Sequence, residues 1–445
     1  MTPSRLPVRP PFGVRARLLT PLDAGGTHHE PDGLLHVDEA GRLDFVGTAQ
    51  DRPAEAANAI DLRPWVVLPG MVDTHAHLPQ LPNAGLGFAL DLLTWLDRLT
   101  FPTERSWSDP AVAETLTPGI LAAFAAAGTT TVLGYGVVYE AAMDACFRAA
   151  EAHGIRAILG KVMMDRETYD PTIEPSTILD RSLREAADLI SRWHGADGGR
   201  LGYAVTPRFA VSCSPEMLRE SAALARSSGT WWQTHVSEDA FEIAEVGRLF
   251  PDATDYVDVY DRAGGLGPRT VLAHAIHLSD RELGRLVETG THVAHCPASN
   301  LFIGAGVMPL ARYLETGLSV ALGSDVSGGP DPSIFSVMRA GAYSQMALRS
   351  LAGDERAVLG PLDWLRMGSL EGARALGLDD RVGSLEAGKE ADLIAIDPSF
   401  VASVDDRGDD DPEDLMSRLI FRAHPDMVRA AWVRGRALDG PGARG

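Results

Sequence analysis

In the segment DTHAHLPQ, His75 and His77 are two residues apart on a short β-branched run. A period of two puts both imidazoles on one face of a strand. Alone, such a pair reads equally as polar packing. It gains meaning because His235 closes a fifth strand-like run, His274 lies on a sixth and Asp325 ends an eighth. If those runs are parallel strands of one barrel, all five residues gather at its carboxyl end, where barrel enzymes keep their reacting groups. Imidazoles with a carboxylate form a borderline-hard donor set suited to Zn²⁺ with an open position for water, and Fe²⁺ suits the same donors.

The elements that must position these residues are legible as a rhythm. Eight strand candidates, MVDTHAH, TTTVLGYG, IRAILGKVMM, LGYAVTPRF, WWQTHVSE, TVLAHAIHL, HVAHC and SVALGSDV, alternate with Ala/Leu/Glu/Arg-rich stretches. Helices are expected at Pro110–Ala127, Ser182–Trp193, Pro215–Ala225 and Asp280–Glu288. Strand and helix in alternation argue for parallel βαβ units closing into a (β/α)8 TIM-type barrel of the α/β class, with a doubly wound sheet as the alternative. Both chain ends differ from this: GLLHVDEAGRLDFVGTA, RVGSLEAGKEADLIAID and MVRAAWVRGRAL read as short strands joined by turns. They predict a small β-sandwich domain made of residues 1–68 and 383–445, flanking a catalytic barrel over 69–382.

Composition bounds the partners. Forty Lys+Arg against 61 Asp+Glu leaves a net charge of −21, which repels polyphosphate and argues against nucleic acid or an anionic membrane. A small neutral substrate suits that balance. Three widely spaced cysteines, Cys146, Cys213 and Cys296, give no disulfide framework, and the N-terminal stretch lacks a signal-type apolar core. No apolar run is long enough to span a bilayer. The expectation is a cytoplasmic enzyme.

Beyond the histidines, PGMVDTHAH, HVSE, AHAIHLS, AHCPASNLFIGAG and LGSDVSGG resemble, in order, the strand-end motifs of the amidohydrolase superfamily. HLPQ, LTWLDRLTFPTE, GKVMMD and VTPRFAVSCS narrow the resemblance to its guanine deaminase branch, across most of residues 60–393. The resemblance implies one Zn²⁺ per chain held by His75, His77, His235 and Asp325, with Glu238, His274 and Asp325 as the catalytic groups. It also implies substrate contacts from Gln80, Arg208 and Phe209, and a homodimer.

The chemistry of the residue types is compatible with those roles. Asp325 could take a proton from water. Glu238, three residues after His235, could protonate a ring nitrogen, though it also reads as a first-turn helix acid. His274 could polarise the water, or be a hydrogen-bonded core histidine. Gln80 offers a donor and an acceptor, whereas Arg208 offers donors only and could instead be an ion pair on the barrel rim. His277 reads as structural.

Binuclear relatives carry a bridging lysine on the fourth strand; here Arg208 stands there and Lys161 is on the third, which favours one metal. GSLEAGKE lacks the hydroxyl residue of a phosphate loop and reads as a β turn, and the acidic run Asp405–Asp414 lacks calcium-loop spacing. The expected reaction is hydrolytic deamination of guanine. The alternatives are deamination or dechlorination of a related heterocycle (an oxidised purine, a pterin, a triazine) and an inactive barrel that only binds. The loop after Asp325 is about two residues longer than the guanine deaminase pattern, which bears on substrate choice.

Overall fold

A computed structural model describes residues 6–170, 174–353, 356–402 and 411–440. Eight consecutive parallel strands form the expected barrel: Met71–His77, Thr129–Tyr135, Arg156–Gly160, Leu201–Pro207, Trp231–Val236, Thr270–His274, His292–His295 and Ser319–Leu322. The third continues as Val162–Met163 after a break at Lys161. Every residue of the first six strands is buried, as strands covered on both faces must be.

Hydrogen bonds from the first strand to the last strand and to the segment that follows it draw the barrel shut. Asp325 N–H donates to His75 O at 2.8 Å, His77 N–H to Val326 O at 2.9 Å, and the Thr74 hydroxyl to Leu322 O at 2.9 Å. A Cβ on Gly323 would come within 2.7 Å of the His75 Cβ, so only glycine permits this approach.

The expected helices form with small differences at their ends: Pro110–Ala126, Ile178–Trp193, Pro215–Ser228 and Asp280–Thr289. Several carry their own start signals. Asp109 and Ser214 cap by accepting from backbone N–H groups, and Ser279 with Glu282 forms a capping box.

Strands from both chain ends join in one seven-stranded sheet, the small β domain read from the sequence. Phe12–Pro21, Thr27–Val37, Leu43–Thr48 and Ile60–Pro69 come from the N-terminal side; Leu393–Ile396, Val428–Val433 and Arg436–Ala437 come from the C-terminal side. The C-terminal segment also carries a helix, Pro412–Phe421, that the strand texture did not suggest. GSLEAGKE is a turn, with Lys389 Nζ bound to the Ser384 hydroxyl at 2.7 Å and Asp23 at 2.8 Å. Most of the acidic run, residues 405–410, lies outside the described residues.

Arg156, on the third barrel strand and fully buried, ties barrel to sheet. Its guanidinium donates to Asp392 at 2.9 Å and Glu390 at 2.6 Å, and Arg381 and Arg434 also reach Glu390. Removing one member of a buried ion pair strands its partner's charge. Arg156→Ala should therefore cost about 3 to 5 kcal/mol, read as a lowered denaturant midpoint.

Candidate active site

Segments at the ends of the first, fourth, fifth, sixth and eighth strands deliver polar residues to one cavity. His77, Gln80, Arg208, Phe209, His235, Glu238, His274 and Asp325 all line it, with Leu92, Trp95, Leu96, Ser299, Ile303 and Gly328 completing the wall. His75 stands just behind, its ring edge-on to His77, His235 and His274 at centroid separations of 5.0, 4.8 and 5.4 Å. Asp325 lies three residues past the last strand, not at its end, and reaches the cluster because its backbone is left-handed, φ +48°. Ser237 and His274 are also left-handed, at +47° and +71°. Such conformations cost about 1 to 3 kcal/mol each and persist only where neighbours hold them. Here Ala275 N–H donates to Val236 O and Ile276 N–H to Ser237 O, locking the fifth and sixth strand ends together.

The polar atoms converge to a degree that ordinary packing does not tolerate. Nε2 of His77 lies 3.2 Å from Nε2 of His235 and 3.4 Å from Asp325 Oδ1, while Nε2 of His75 lies 3.1 Å from that same oxygen. Ligand atoms from His75, His235, His274 and Asp325 fall within 4.8 Å of one another. Nε2 of both His75 and His274 is buried without a hydrogen-bond partner.

Two neighbours fix tautomers: His235 Nδ1–H donates to Arg208 O at 2.7 Å and His274 Nδ1–H to Asn300 Oδ1 at 2.9 Å. Each leaves an Nε2 lone pair facing the cluster. Burial, reinforced by neighbouring imidazoles, holds His77 and His235 well below the usual histidine range and lowers His274 to about 4. Neutral imidazoles aimed at a carboxylate are donors in want of a cation, and the set fits a divalent metal.

The two carboxylates are driven apart. Burial opposes ionisation of Asp325, but the imidazoles of His75, His274 and His77 outweigh it and keep its carboxyl far below the usual range. Glu238 is pushed well above its ordinary value by burial and then by the Asp325 charge. It lies 3.4 Å from His274 Nε2. Glu238 is not a cap: the following helix begins at Ala240 and is capped by Asp239 with Glu242, whose carboxylate also accepts the Glu238 backbone N–H at 3.0 Å.

Arg208 does form an ion pair, but in the interior, with Glu104 at 2.6 Å. Gln80 Nε2 donates to the other Glu104 oxygen at 2.6 Å, and the Arg208 guanidinium stands 5.3 Å over the Phe101 ring. Glu104 closes LTWLDRLTFPTE, but a lone acid on a short helix gave no signal of its own in the sequence. His277 bonds Ala305 O at 2.9 Å, away from the cluster, as its structural reading required.

Asp73, two residues before His75, is a further supporting residue that spacing alone does not mark. Buried and raised to about 6 by that burial, it accepts from Ser324 N–H at 2.9 Å, from the Ser324 hydroxyl at 2.5 Å and from His75 N–H at 3.2 Å. It thus joins the strand carrying His75 to the segment carrying Asp325.

Known proteins resemble this chain over most of its length. The amidohydrolase family model matches residues 66–438. A probable guanine deaminase of Deinococcus radiodurans is 40% identical over 414 residues, covering 91% of this chain and 92% of its own. The solved structure of Escherichia coli guanine deaminase superposes with a TM-score of 0.88 at 31% identity, over 96% of this chain and 99% of that one. A guanine deaminase from C. acetobutylicum, solved with guanine bound in its active site, gives a TM-score of 0.89 at 28% identity and covers the same shares.

Asp73→Ala should orphan the buried donors of Ser324 and His75, at about 1 to 3 kcal/mol per donor. Asp73→Asn, whose amide oxygen still accepts, should lose less. Urea unfolding of the two variants beside the parent measures the difference.

Proposed function

The chain belongs to the amidohydrolase family, and from that premise we propose that it hydrolyses guanine to xanthine and ammonia. The observation that carries the reading is the convergence of Glu238, Asp325, Gln80 and Arg208 on one cavity, with the pKa values of the two acids displaced in opposite directions. The guanine-bound relative supports the choice of substrate.

His75, His77, His235 and Asp325 would hold one Zn²⁺, or Fe²⁺ in the same donors, with His274 beside them. A metal there supplies a Lewis acid, which can lower the pKa of a water from about 15.7 to about 7. The protein's own groups then move the protons. Asp325 accepts one from the water whose oxygen attacks C2, while Glu238 gives its proton to the adjoining ring nitrogen, N3. As the C2–N bond breaks, the amine takes the proton held by Asp325 and leaves as ammonia. Glu238 recovers a proton from the new C2 hydroxyl, which becomes the carbonyl. Both acids end as they began. Neutral His274, its Nδ1–H held by Asn300, orients the attacking water by accepting an O–H at Nε2.

Gln80 and Arg208 would read the polar edge of the ring, with Phe209 against its face. We assign the enzyme to the cytoplasm: Cys146, Cys213 and Cys296 are free and buried, and among the described residues no helix is long and apolar enough to cross a membrane. Exposed Tyr343, Met346 and Leu351 on the helix Ile334–Ala352 support a homodimer.

Ammonia release from a panel of aminopurines, pterins and triazines tests the reading, with guanine expected as the best substrate. Elemental analysis should find one metal per chain, lost together with activity in His75→Ala and Asp325→Ala. Glu238→Gln should keep its metal and lose about 10² to 10⁴ in kcat with little change in KM. A fully loaded Glu238→Gln enzyme with parental kcat would overturn the role.

A further inference from the structure

Glu104 does not line the cavity, yet it is entirely buried and holds both proposed substrate-reading side chains at once. One oxygen takes Gln80 Nε2 and the other Arg208 Nη1, each at 2.6 Å. A carboxylate engaged by an arginine only accepts, so Gln80 must turn its NH₂ toward Glu104. That leaves Gln80 Oε1 as its other polar atom, and this oxygen is buried without a partner. Arg208, fixed on the same carboxylate, can present only donors.

From this we propose that Glu104 is a positioning residue that sets the polarity of the substrate pocket, making it select a ring carbonyl next to a ring N–H. The proposal rests on the guanine reading above. The carbonyl of such a lactam accepts from Arg208, and its N–H donates to Gln80 Oε1. In guanine these are O6 and N1–H. A ring with an amino group next to an unprotonated nitrogen shows the reverse pattern and mismatches both side chains. A site whose buried groups await hydrogen bonds rejects the wrong pattern because those groups are left unpaired. Without the carboxylate, the Gln80 amide is free to rotate by half a turn and the pocket loses its sense of direction.

The test compares guanine, 1-methylguanine and 2,6-diaminopurine as substrates of the parent and of Glu104→Gln, each with its metal. In Glu104→Gln, kcat/KM for guanine should fall at least about tenfold, mainly through KM, and the ratio of guanine to 2,6-diaminopurine should narrow. A residue that merely stabilised the fold would lower both substrates together, so an unchanged ratio in a folded variant overturns the proposal. If the variant fails to fold, the parent still decides. It should use 1-methylguanine at least about tenfold less well than guanine, and equal turnover of the two overturns the assignment of Gln80 Oε1 as acceptor. Failure of the parent to deaminate guanine at all is a separate outcome, which overturns the guanine reading and this assignment with it.

Discussion

Four imidazoles and a carboxylate gathered at one barrel mouth, with Nε2 atoms as close as 3.2 Å, form the constraint on which the rest of this structure depends. Burying polar atoms without partners costs free energy, and here Nε2 of His75 and His274 are both left without one. The fold bears that cost with rigid supports on every side. His235 is pinned through Arg208 O, His274 through Asn300, and the backbone of His75 through Asp73. The left-handed residues Ser237, His274 and Asp325 add strain at the same place. A chain selected for stability alone would not assemble such a cluster, whereas one that must present lone pairs to a cation has reason to.

Barrel closure and site assembly are the same event in this molecule. The bonds that join the first strand to the segment after the last, from Asp325 N–H to His75 O and from His77 N–H to Val326 O, involve His75, His77 and Asp325, whose side chains enter the cluster. The ring of strands cannot open there without separating His75 and His77 from Asp325. Gly323 serves both purposes, since its missing side chain lets the last strand approach His75. The Arg156 network plays the corresponding part at the third strand, fixing the barrel against the seven-stranded sheet.

Much of this was legible in the sequence because period and punctuation are local properties. All eight barrel strands stood out as β-branched runs, and strand-end histidines follow from a period of two. Helix ends were less legible: Ile178–Trp193 begins four residues before its amphipathic pattern became clear, and Pro412–Phe421 was hidden beside an acidic run. The strand pattern alone puts Asp325 at a strand end, but its reach depends on a backbone turn that no residue type announces. Glu104 and Asp73 were invisible as functional residues for a common reason. Each acts through partners far away in the chain, Arg208 for Glu104 and Ser324 for Asp73, and only the closed barrel brings those pairs together.

Asp325, Glu238 and Glu104 are all buried carboxyl groups, and their surroundings give them different tasks. Asp325 sits among imidazoles, which draw its carboxyl well down; Glu238, buried and facing that charge, is pushed well up. Burial and the Asp325 charge both oppose ionisation of Glu238, whereas at Asp325 the imidazoles overcome burial. Displacement in opposite directions suits one carboxyl to act as base and the other as acid, which is the requirement for moving one proton off water and another onto a ring. Glu104 takes a third course, neutralised by Arg208 and turned away from the cavity, so that its charge organises hydrogen-bond direction without adding to the repulsion between the other two. With the negative charges thus assigned to base and scaffold, an uncharged planar ring enters without having to shed a charge of its own.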